Sequence, residues 1–312
     1  MWSRFLGGKL EASRITRQKW QQFEEKRGSG DIDGRGLPFG HRDYNRLRKG
    51  KRVQIGARAV EADQRWLRTV LRWACSWTDE QTGRPLLDRN PVDGFPLKPE
   101  QNPARPVMSD TRFEKLLAVA KQVQREYTRS GVRKLERTYL HELLIIAHGT
   151  GRRITPICRL RWSDIRWEQS ATQPHGAIVW PEDTDKQAKE WEAPISARVR
   201  RTLEAHRKRC PAVGDAWVFP SPRNAAIPIG KNQPLKWLRE AEELAGLEHE
   251  PRMTWHSIRR AWATARKHHP DADVARAGGW SDTRSLQLCY QAADEETTLR
   301  VVLDSARLEK AQ

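Results

Sequence analysis

Hydrophobic positions recur at helical spacing most clearly over residues 61–78. Apolar residues stand there at i, i+4, i+7 and i+11, namely Trp66, Val70, Trp73 and Trp77. This spacing predicts an α-helix with an apolar stripe along one side. We expect the tryptophans of the stripe to pack in a core. A shorter helix is expected over residues 14–26, where Trp20 and Phe23 are three positions apart.

The rest of the chain alternates between helical patterns and short apolar runs. Helical spacing predicts helices at residues 109–123, 135–147, 199–208, 235–245 and 295–308. Ser109 is the expected N-cap of the first of these. Short runs that favour strands stand at residues 164–168, 177–180 and 192–196. The expected fold class is therefore mainly α with a small antiparallel β-sheet.

Prolines interrupt the stretch between the two halves of the chain. They are Pro91, Pro96, Pro99, Pro103 and Pro106. Few apolar residues lie between them, which favours a semi-extended linker. At 312 residues the chain is long enough for two domains, each with its own core. We expect an N-terminal domain at 1–89, a linker at 90–105 and a C-terminal domain at 106–312.

The chain is strongly basic, with 57 Lys and Arg residues against 40 Asp and Glu and a net charge of +17. Such a balance is typical of proteins that bind nucleic acid. A basic run at residues 46–52 is either a solvated loop or a phosphate contact. A second basic cluster lies on a separate face of the 61–78 helix and consists of Arg65, Arg68 and Arg72. That face meets either solvent or DNA.

Other features exclude several classes of protein. No apolar run approaches the ~18 residues of a membrane span, and no hydrophobic segment follows Met1 as a signal peptide would require. The four cysteines are scattered and include no C-x-x-C pair. Their placement argues against a zinc site and against a disulfide framework. A reducing, cytoplasmic setting is expected.

Candidate chemistry is concentrated at residues 254–290. This segment holds, in order, Thr254, His256, Arg259, Gly279, Trp280 and Tyr290. Thr254 precedes a helical pattern as an N-cap. His256 and Arg259 stand at i, i+3, so they share one face of the expected helix. A glycine turn then carries Trp280, and Tyr290 follows ten positions later.

Two further elements lie upstream. Residues 150–165 read Thr-Gly-Arg-Arg-Ile-Thr-Pro-Ile-Cys-Arg-Leu-Arg-Trp-Ser-Asp-Ile, with Arg153 in fourth place. Thr155 and Pro156 within this run predict an N-cap and a first helical position. Lys186 opens a polar Lys-Gln-Ala-Lys stretch between two predicted strands, so it is expected in the second turn of the sheet. A lysine there is also typical of any exposed hairpin.

In this order and spacing, the three elements resemble the motifs of the tyrosine recombinases, the phage integrase family. The family's motifs run Thr-Gly-x-Arg, a turn lysine, His-x-x-Arg-(His/Lys), Gly-(His/Trp) and a nucleophilic tyrosine. The resemblance covers residues 106–312 and is only general before them. Two positions depart from the pattern. Pro156 replaces an acidic residue that would steady the arginine, and Arg260 stands where His or Lys is usual and keeps a cation.

The resemblance implies a helical core-binding domain followed by a tyrosine-recombinase catalytic domain. It implies the catalytic residues Arg153, Lys186, His256, Arg259, Trp280 and Tyr290. A guanidinium binds phosphate oxygens in bidentate fashion and keeps its charge, so Arg153 and Arg259 suit the scissile phosphate. Tyr290 suits the nucleophile, which would form a 3′-phosphotyrosyl link to DNA.

The other three candidates complete the expected reaction. Lys186 suits the general acid that protonates the departing 5′-oxygen. His256 either accepts the tyrosine proton or holds the phosphate. Trp280 either donates its indole N–H or packs the site. The scheme requires no metal and no other cofactor.

The resemblance also implies the partners and the activity. Double-stranded DNA is the expected partner, with contacts from Arg65, Arg68, Arg72 and Arg260. The 295–308 helix would dock on a neighbouring protomer in a homotetramer on DNA, or pack on its own domain. The expected activity is site-specific DNA recombination or integration. The alternatives are a catalytically silent DNA-binding protein on the same fold and a type IB topoisomerase, which uses the same chemistry to relax DNA.

Overall fold

A computed structural model describes the protein at residues 1–44, 51–98, 105–129, 132–182, 190–212, 214–292 and 298–299. The chain forms two compact units, Met1–Pro103 and Ala104–Gln312. Each unit has its own hydrophobic core. No helix within the described ranges is long and apolar enough to cross a membrane.

The first unit is helical. Its helices within the described residues include α1 (Trp2–Leu6), α2 (Arg17–Gly28) and α3 (Ala57–Ser76). Trp2 stacks on Phe23 with ring centroids 3.6 Å apart, and this pair lies in the core. The helix expected over 14–26 is confirmed but begins later. Thr16 caps it, because its hydroxyl oxygen accepts a hydrogen bond from the backbone N–H of Lys19 at 3.3 Å.

The tryptophans of α3 do not form its core, so that expectation was wrong. Trp66 and Trp73 are 59% and 54% exposed. The buried stripe has the same helical spacing on another side of the helix and consists of Val60, Gln64, Leu67, Leu71 and Ala74. It is the longer stripe, since α3 begins at Ala57 rather than at residue 61. The helix therefore has two apolar stripes, and the aliphatic one faces the core.

Part of the expected linker packs on the first unit. Val92 is fully buried in that core, and Phe95 and Leu97 pack against it. The indole N–H of Trp20 donates a hydrogen bond to the carbonyl of Pro96 at 2.9 Å. Residues 92–97 thus belong to the first unit, because apolar side chains between the prolines find a core to enter.

The second unit is mainly α. Its described helices are α4 (Asp110–Val119), α5 (Leu140–Thr150), α6 (Ile154–Cys158), α7 (Ala197–Arg209), α8 (Gln233–Leu244), α9 (Trp255–Thr264), α10 (Asp271–Gly278) and α11 (Thr283–Cys289). Its described strands are β1 (Gln124–Arg129), β2 (Val132–Arg137), β3 (Ile165–Arg166), β4 (Ala177–Trp180), β5 (Trp191–Pro194), β6 (Pro220–Ser221) and β7 (Asn224–Pro228). The apolar helix α5 is central and packs against α7 and α9.

The helix expected over residues 135–147 begins later than expected. Strands β1 and β2 pair antiparallel, with Gln124 opposite Arg137, and the helix α5 starts only at Leu140. Leu135, the first residue of the expected helix, is 67% exposed. Cross-strand pairing satisfies the backbone here and overrides the helical spacing of the side chains.

The expected three-stranded sheet is confirmed. Strand β4 lies between β3 and β5, and both pairs are antiparallel. In the second pair, Trp180 stands directly opposite Trp191. Lys186, which the sequence predicts in the turn after β4, lies outside the described residues, and so does most of the helix expected at 295–308.

Candidate active site

Helix α9 presents the His-x-x-Arg element. Thr254 is its N-cap, as expected: its hydroxyl oxygen accepts from the backbone N–H of His256 at 3.4 Å. The hydroxyl of Ser257 in turn accepts from the N–H of Thr254 at 3.2 Å. The helix leaves His256 exposed and buries Arg259, which is 1% exposed. The N-cap fixes the residue at which the helix begins, and this sets the position at which Arg259 enters the interior of the second unit.

Arg259 joins the C-terminal ends of two helices. Its Nη1 donates to the carbonyl of Gly151, the C-cap of α5, and to the carbonyl of Gly278 at 2.5 Å, the last residue of α10. Its Nη2 donates to the carbonyl of Gly279 at 3.3 Å. The C-terminal ends of helices carry partial negative charge, so they stabilise a buried cation.

Both helix ends require glycine. Gly151 has φ 63° and Gly279 has φ 71°, in the left-handed region that side chains with a Cβ rarely adopt. At Gly151 space forbids a side chain as well, because a Cβ there would overlap the ring of Trp262. A Cβ on Gly279 would overlap the guanidinium of Arg152, which is the far end of a flexible side chain. At the glycine of the Thr-Gly element and at that of the Gly-Trp element, the backbone therefore lies directly against a neighbouring side chain.

An aromatic layer covers Arg259. Its guanidinium carbon lies 3.4 Å from the ring centroid of Trp280 and 5.1 Å from that of Tyr290. Tyr290 meets Trp280 edge to face at 5.0 Å, and Trp262 stacks on Trp280 at 6.0 Å. Within the described residues nothing accepts a hydrogen bond from the buried Nε1 of Trp280. That indole N–H therefore remains, among the described residues, an unused donor beside Arg259 and Tyr290.

Burial lowers the pKa of Arg259 to about 9. The positive charge of Arg153 adds to this shift, and a smaller contribution comes from Arg152. Tyr290 opposes it through its own charge and a side-chain hydrogen bond. At neutral pH the guanidinium is still charged, and an anion that enters the site would meet clustered cations.

Tyr290 directly follows the last turn of α11. Its backbone N–H donates to the carbonyl of Leu286 at 3.0 Å, and its carbonyl accepts from the hydroxyl of Thr264 at 3.2 Å. The ring of the half-buried Tyr290 lies 6.4 Å from the ring of His256. Tyr290 is 34 positions from His256 in the sequence. The fold nevertheless brings the tyrosine to the helix that carries the His-x-x-Arg element.

Arg153 is half-buried and is the N-cap residue of the short helix α6. The sequence predicted Thr155 as N-cap and Pro156 as first helical position, and this was wrong, because α6 begins at Ile154. Pro156 is tolerated since it still lies in the first turn, where its missing N–H has no helical acceptor.

Arg152 lies beside these groups although the sequence did not mark it as a site residue. Its side chain is 3% exposed, and its guanidinium carbon lies 5.0 Å from the ring centroid of Trp180 and 5.9 Å from that of Trp191. Two adjacent arginines are visible in the motif, but nothing in their spacing tells which side chain turns inward. The available signal was a pair of indoles, since Trp180 ends one predicted strand and Trp191 directly precedes the next.

The four arginines expected to contact DNA differ in their surroundings. Arg65 and Arg72 are exposed and pair with Glu61 and, at 3.4 Å, with Asp93. Arg68 instead donates to the carbonyl of Phe95 and lies over the ring of Trp20 at 5.7 Å.

Arg260 also binds backbone. It donates to the carbonyls of Cys289 and Pro106 at 3.3 and 3.1 Å. Its bond to Cys289 ties α9 to the residue before Tyr290. Lys186, the sixth catalytic candidate, lies outside the described residues, so no position is assigned to it.

These side chains suit anion binding and nucleophilic attack. Two arginines, an indole N–H, an imidazole and a phenol meet in one region of the second unit. Within the described part of the chain, no group of three or more His, Cys, Asp or Glu side chains is placed to hold a metal ion.

Comparison with known proteins gives the same picture. The model of the phage integrase family matches residues 108–296, and no curated protein matches the sequence. Three similar solved structures illustrate the fold. A lambda integrase dimer bound to a COC′ core site is 14% identical, with a TM-score of 0.60 over 94% of this chain and 72% of that chain. The XerH site-specific recombinase bound to palindromic difH substrate is 16% identical, with a TM-score of 0.56 over 96% and 74%. A lambda integrase tetramer bound to a Holliday junction is 14% identical, with a TM-score of 0.56 over 90% and 70%.

The family model spans more than half of the chain, and it includes every motif that surrounds Arg259 and Tyr290. The fold of the solved structures is mainly α with small antiparallel sheets, as found here. The chain belongs to the phage integrase family, the tyrosine-type site-specific DNA recombinases.

Proposed function

We propose that this recombinase cleaves one DNA strand with Tyr290 and forms a 3′-phosphotyrosyl link. One observation carries the proposal. The Tyr290 ring lies within 6.4 Å of His256, 5.1 Å of the Arg259 guanidinium and 5.0 Å of Trp280. A nucleophile, cations and an N–H donor thus meet where a phosphodiester could enter from the exposed side of His256.

Arg153 and Arg259 neutralise the non-bridging oxygens of the phosphate, and Trp280 donates its indole N–H to one of them. The phenolic oxygen of Tyr290 attacks phosphorus and loses its proton as the new P–O bond forms. His256 either accepts that proton or holds the phosphate. The P–O5′ bond breaks in line with the attack.

Lys186 donates a proton to the departing 5′-oxygen, which leaves as a hydroxyl. The bond energy stays in the phosphotyrosyl link. A 5′-hydroxyl from another strand can therefore attack the link, release Tyr290 and join the two DNA segments. This reversal distinguishes strand transfer from hydrolysis.

DNA binding is the second part of the proposal. Arg65 and Arg72 are exposed on α3, and the whole chain has a net charge of +17. We assign phosphate contacts to this arginine face and a core-binding role to the first unit. Arg68 and Arg260 would reach DNA only by exchanging the carbonyls they now bind, so their contribution to DNA binding is smaller.

A homotetramer on DNA is the proposed assembly, with the C-terminal segment of one protomer docked on its neighbour. The lambda integrase tetramer on a Holliday junction supports it, because its fold is shared by this chain. Four protomers would bring four tyrosines to two duplexes, which is the number of strands that a complete exchange must cut.

Covalent trapping tests the proposal. The purified protein is incubated with DNA from its own chromosomal flanks, and the reaction is stopped with detergent. The products are examined for protein that is covalently linked to DNA and is removed by a protease. Wild type should form the adduct and Tyr290→Phe should not. An adduct in both would mean that another residue is the nucleophile. DNA binding with no adduct on any flanking site would favour a catalytically silent binder.

A second assay separates recombination from relaxation. Two plasmid sites are supplied, and the products are scored for exchange of flanking sequence and for loss of supercoils. Relaxation without exchange would indicate a type IB topoisomerase activity instead.

A further inference from the structure

Arg152 is buried beside two indoles. Its guanidinium carbon lies 5.0 Å from the Trp180 ring centroid and 5.9 Å from the Trp191 ring centroid, and its side chain is 3% exposed. A planar guanidinium stacks on aromatic faces, which a lysine ammonium does less well. Arg152 is the neighbour of Arg153 in the first motif, yet its side chain points at the sheet.

The two indoles mark the base of one hairpin. Trp180 is the last residue of β4, Trp191 is the first residue of β5, and the two stand directly opposite each other in the antiparallel pair. The connection between them contains Lys186 in the sequence. A contact that holds the two tryptophans in place therefore fixes both ends of that connection.

On its other side, Arg152 packs against the turn that carries Trp280. The guanidinium lies so close to Gly279 that a Cβ there would overlap it. The carbonyl of Gly279 accepts a hydrogen bond from Arg259 at 3.3 Å. A single side chain thus contacts both the hairpin base and the backbone that binds the phosphate-facing arginine.

We propose that Arg152 is a positioning residue for strand cleavage, which holds the base of the β4–β5 hairpin against the Gly279–Trp280 turn. This inference rests on the proposed function, in which Lys186 from that hairpin protonates the leaving 5′-oxygen. Arg152 does not touch the phosphate in this scheme. It holds the hairpin base, from which the segment that contains Lys186 departs, beside the turn next to the phosphate-binding groups.

The electrostatics agree with a location beside the phosphate-binding groups. The charge of Arg152 is one of the causes that lower the pKa of Arg259, after burial and the charge of Arg153. The same cation therefore lies near the phosphate-binding arginine and also packs against the indoles of the hairpin.

The test compares two leaving groups. DNA with a bridging sulfur in place of the 5′-oxygen at the cleavage site releases a thiolate, which needs no proton because a thiol is far more acidic than an alcohol. Arg152→Met keeps the length of the side chain and removes the planar cation. On oxygen DNA, we expect single-turnover cleavage to fall about 100-fold, the cost of a misplacement of about 1 Å. On sulfur DNA, most of that reduction should disappear.

Two comparison variants set the scale. Lys186→Ala should show the same pattern as Arg152→Met, slow on oxygen and restored on sulfur. Arg153→Ala should stay slow on both substrates, because charge neutralisation is needed whichever atom leaves. If Arg152→Met resembles Arg153→Ala, or cleaves both substrates at the wild-type rate, the inference is wrong.

A second variant covers the case in which Arg152→Met does not fold. Trp191 is half-buried. Trp191→Leu removes one of the two indoles near the Arg152 guanidinium and leaves Arg152 in place. It should show the same recovery on sulfur DNA, in a smaller degree, and a uniform reduction on both substrates would overturn the inference. Failure of the proposed function looks different: wild type would cleave neither DNA, or Tyr290→Phe would cleave both.

Discussion

Arg259 lies beneath Trp280, with its guanidinium carbon 3.4 Å from the centroid of the indole ring. The same guanidinium binds the carbonyls of Gly151 and Gly278, at the C-terminal ends of two helices. One cation therefore ties the first motif to the glycine turn and also faces the tyrosine. The packing of this unit and its chemistry depend on the same side chain.

Trp280→Phe and Trp280→Ala should separate packing from hydrogen bonding. Phenylalanine keeps an aromatic face over Arg259 but has no N–H, so the protein should fold normally and cleave DNA more slowly. Alanine also leaves a cavity and should reduce the free energy of unfolding by about 3–5 kcal/mol. Chemical denaturation and single-turnover cleavage measure the two effects. Wild-type cleavage by Trp280→Phe would show that the indole N–H makes no contribution.

Gly151→Ala should destabilise the second unit far more than Gly246→Ala. Both glycines have φ 63°, so the backbone strain of an alanine is matched. Nothing lies within 4 Å of a Cβ at Gly246, whereas one at Gly151 would overlap Trp262. We expect a cost of about 1–2 kcal/mol at Gly246 and about 2–5 kcal/mol at Gly151, where overpacking adds to the strain.

Urea denaturation of the full chain measures both glycine variants. The transition of the second unit is the one to follow, since both glycines lie in it. Equal losses in the free energy of unfolding would mean that Trp262 moves aside. The contact between Gly151 and Trp262 would then not restrict the residue at position 151.

The alkaline limit of DNA binding should report Arg259. Its pKa is lowered to about 9, so the charge is present at neutral pH and disappears as the pH rises through that value. Tyr290→Phe protein allows binding to be measured without cleavage. Because Tyr290 raises the pKa of Arg259, its removal should place the midpoint at or below about 9.

The control for that titration is the double variant with Arg259→Gln. It should bind DNA weakly at every pH and lack the step near pH 9. A step of equal size in the control would assign the titration to another group.

The site could be predicted from the sequence where spacing in the chain reflects a helix or a cap. Thr254 is the N-cap of its helix as expected, and His256 and Arg259 both approach Tyr290. Long-range packing left no such trace. Gly151 and Gly278 lie far apart in the sequence, and only the fold reveals that Arg259 binds both carbonyls.

The predictions from the sequence were wrong where two patterns competed. In α3 the leucine stripe and the tryptophan stripe have the same period, so periodicity alone could not choose the buried one. At Leu135 strand pairing with the preceding segment overrode a helical pattern. In both places, the deciding factor was a partner distant from the local pattern.

The two kinds of arginine on α3 should respond differently to substitution. Replacing Arg65 and Arg72 with glutamine should weaken DNA binding and reduce the slope of log affinity against log salt by about 1 for each phosphate that is no longer neutralised. Arg68→Gln should instead lower the stability of the first unit, because Arg68 donates to the carbonyl of Phe95 and lies over Trp20. Salt-dependent binding by Tyr290→Phe protein measures the first effect.

Urea denaturation measures the effect of Arg68→Gln. An unchanged unfolding transition together with a reduced salt slope would place Arg68 among the phosphate-binding residues and remove the distinction between the two kinds of arginine.

Exposed and buried stripes of α3 should differ in their share of stability. Leu71 is 6% exposed and Trp73 is 54% exposed, although they are two positions apart. Leu71→Ala should cost about 2–5 kcal/mol in the first unit. Trp73→Ala should change stability by no more than about 0.5 kcal/mol. Urea denaturation decides between them. A large destabilisation by Trp73→Ala would mean that the tryptophan stripe is covered in solution, and its assignment as an exposed face of α3 would fail.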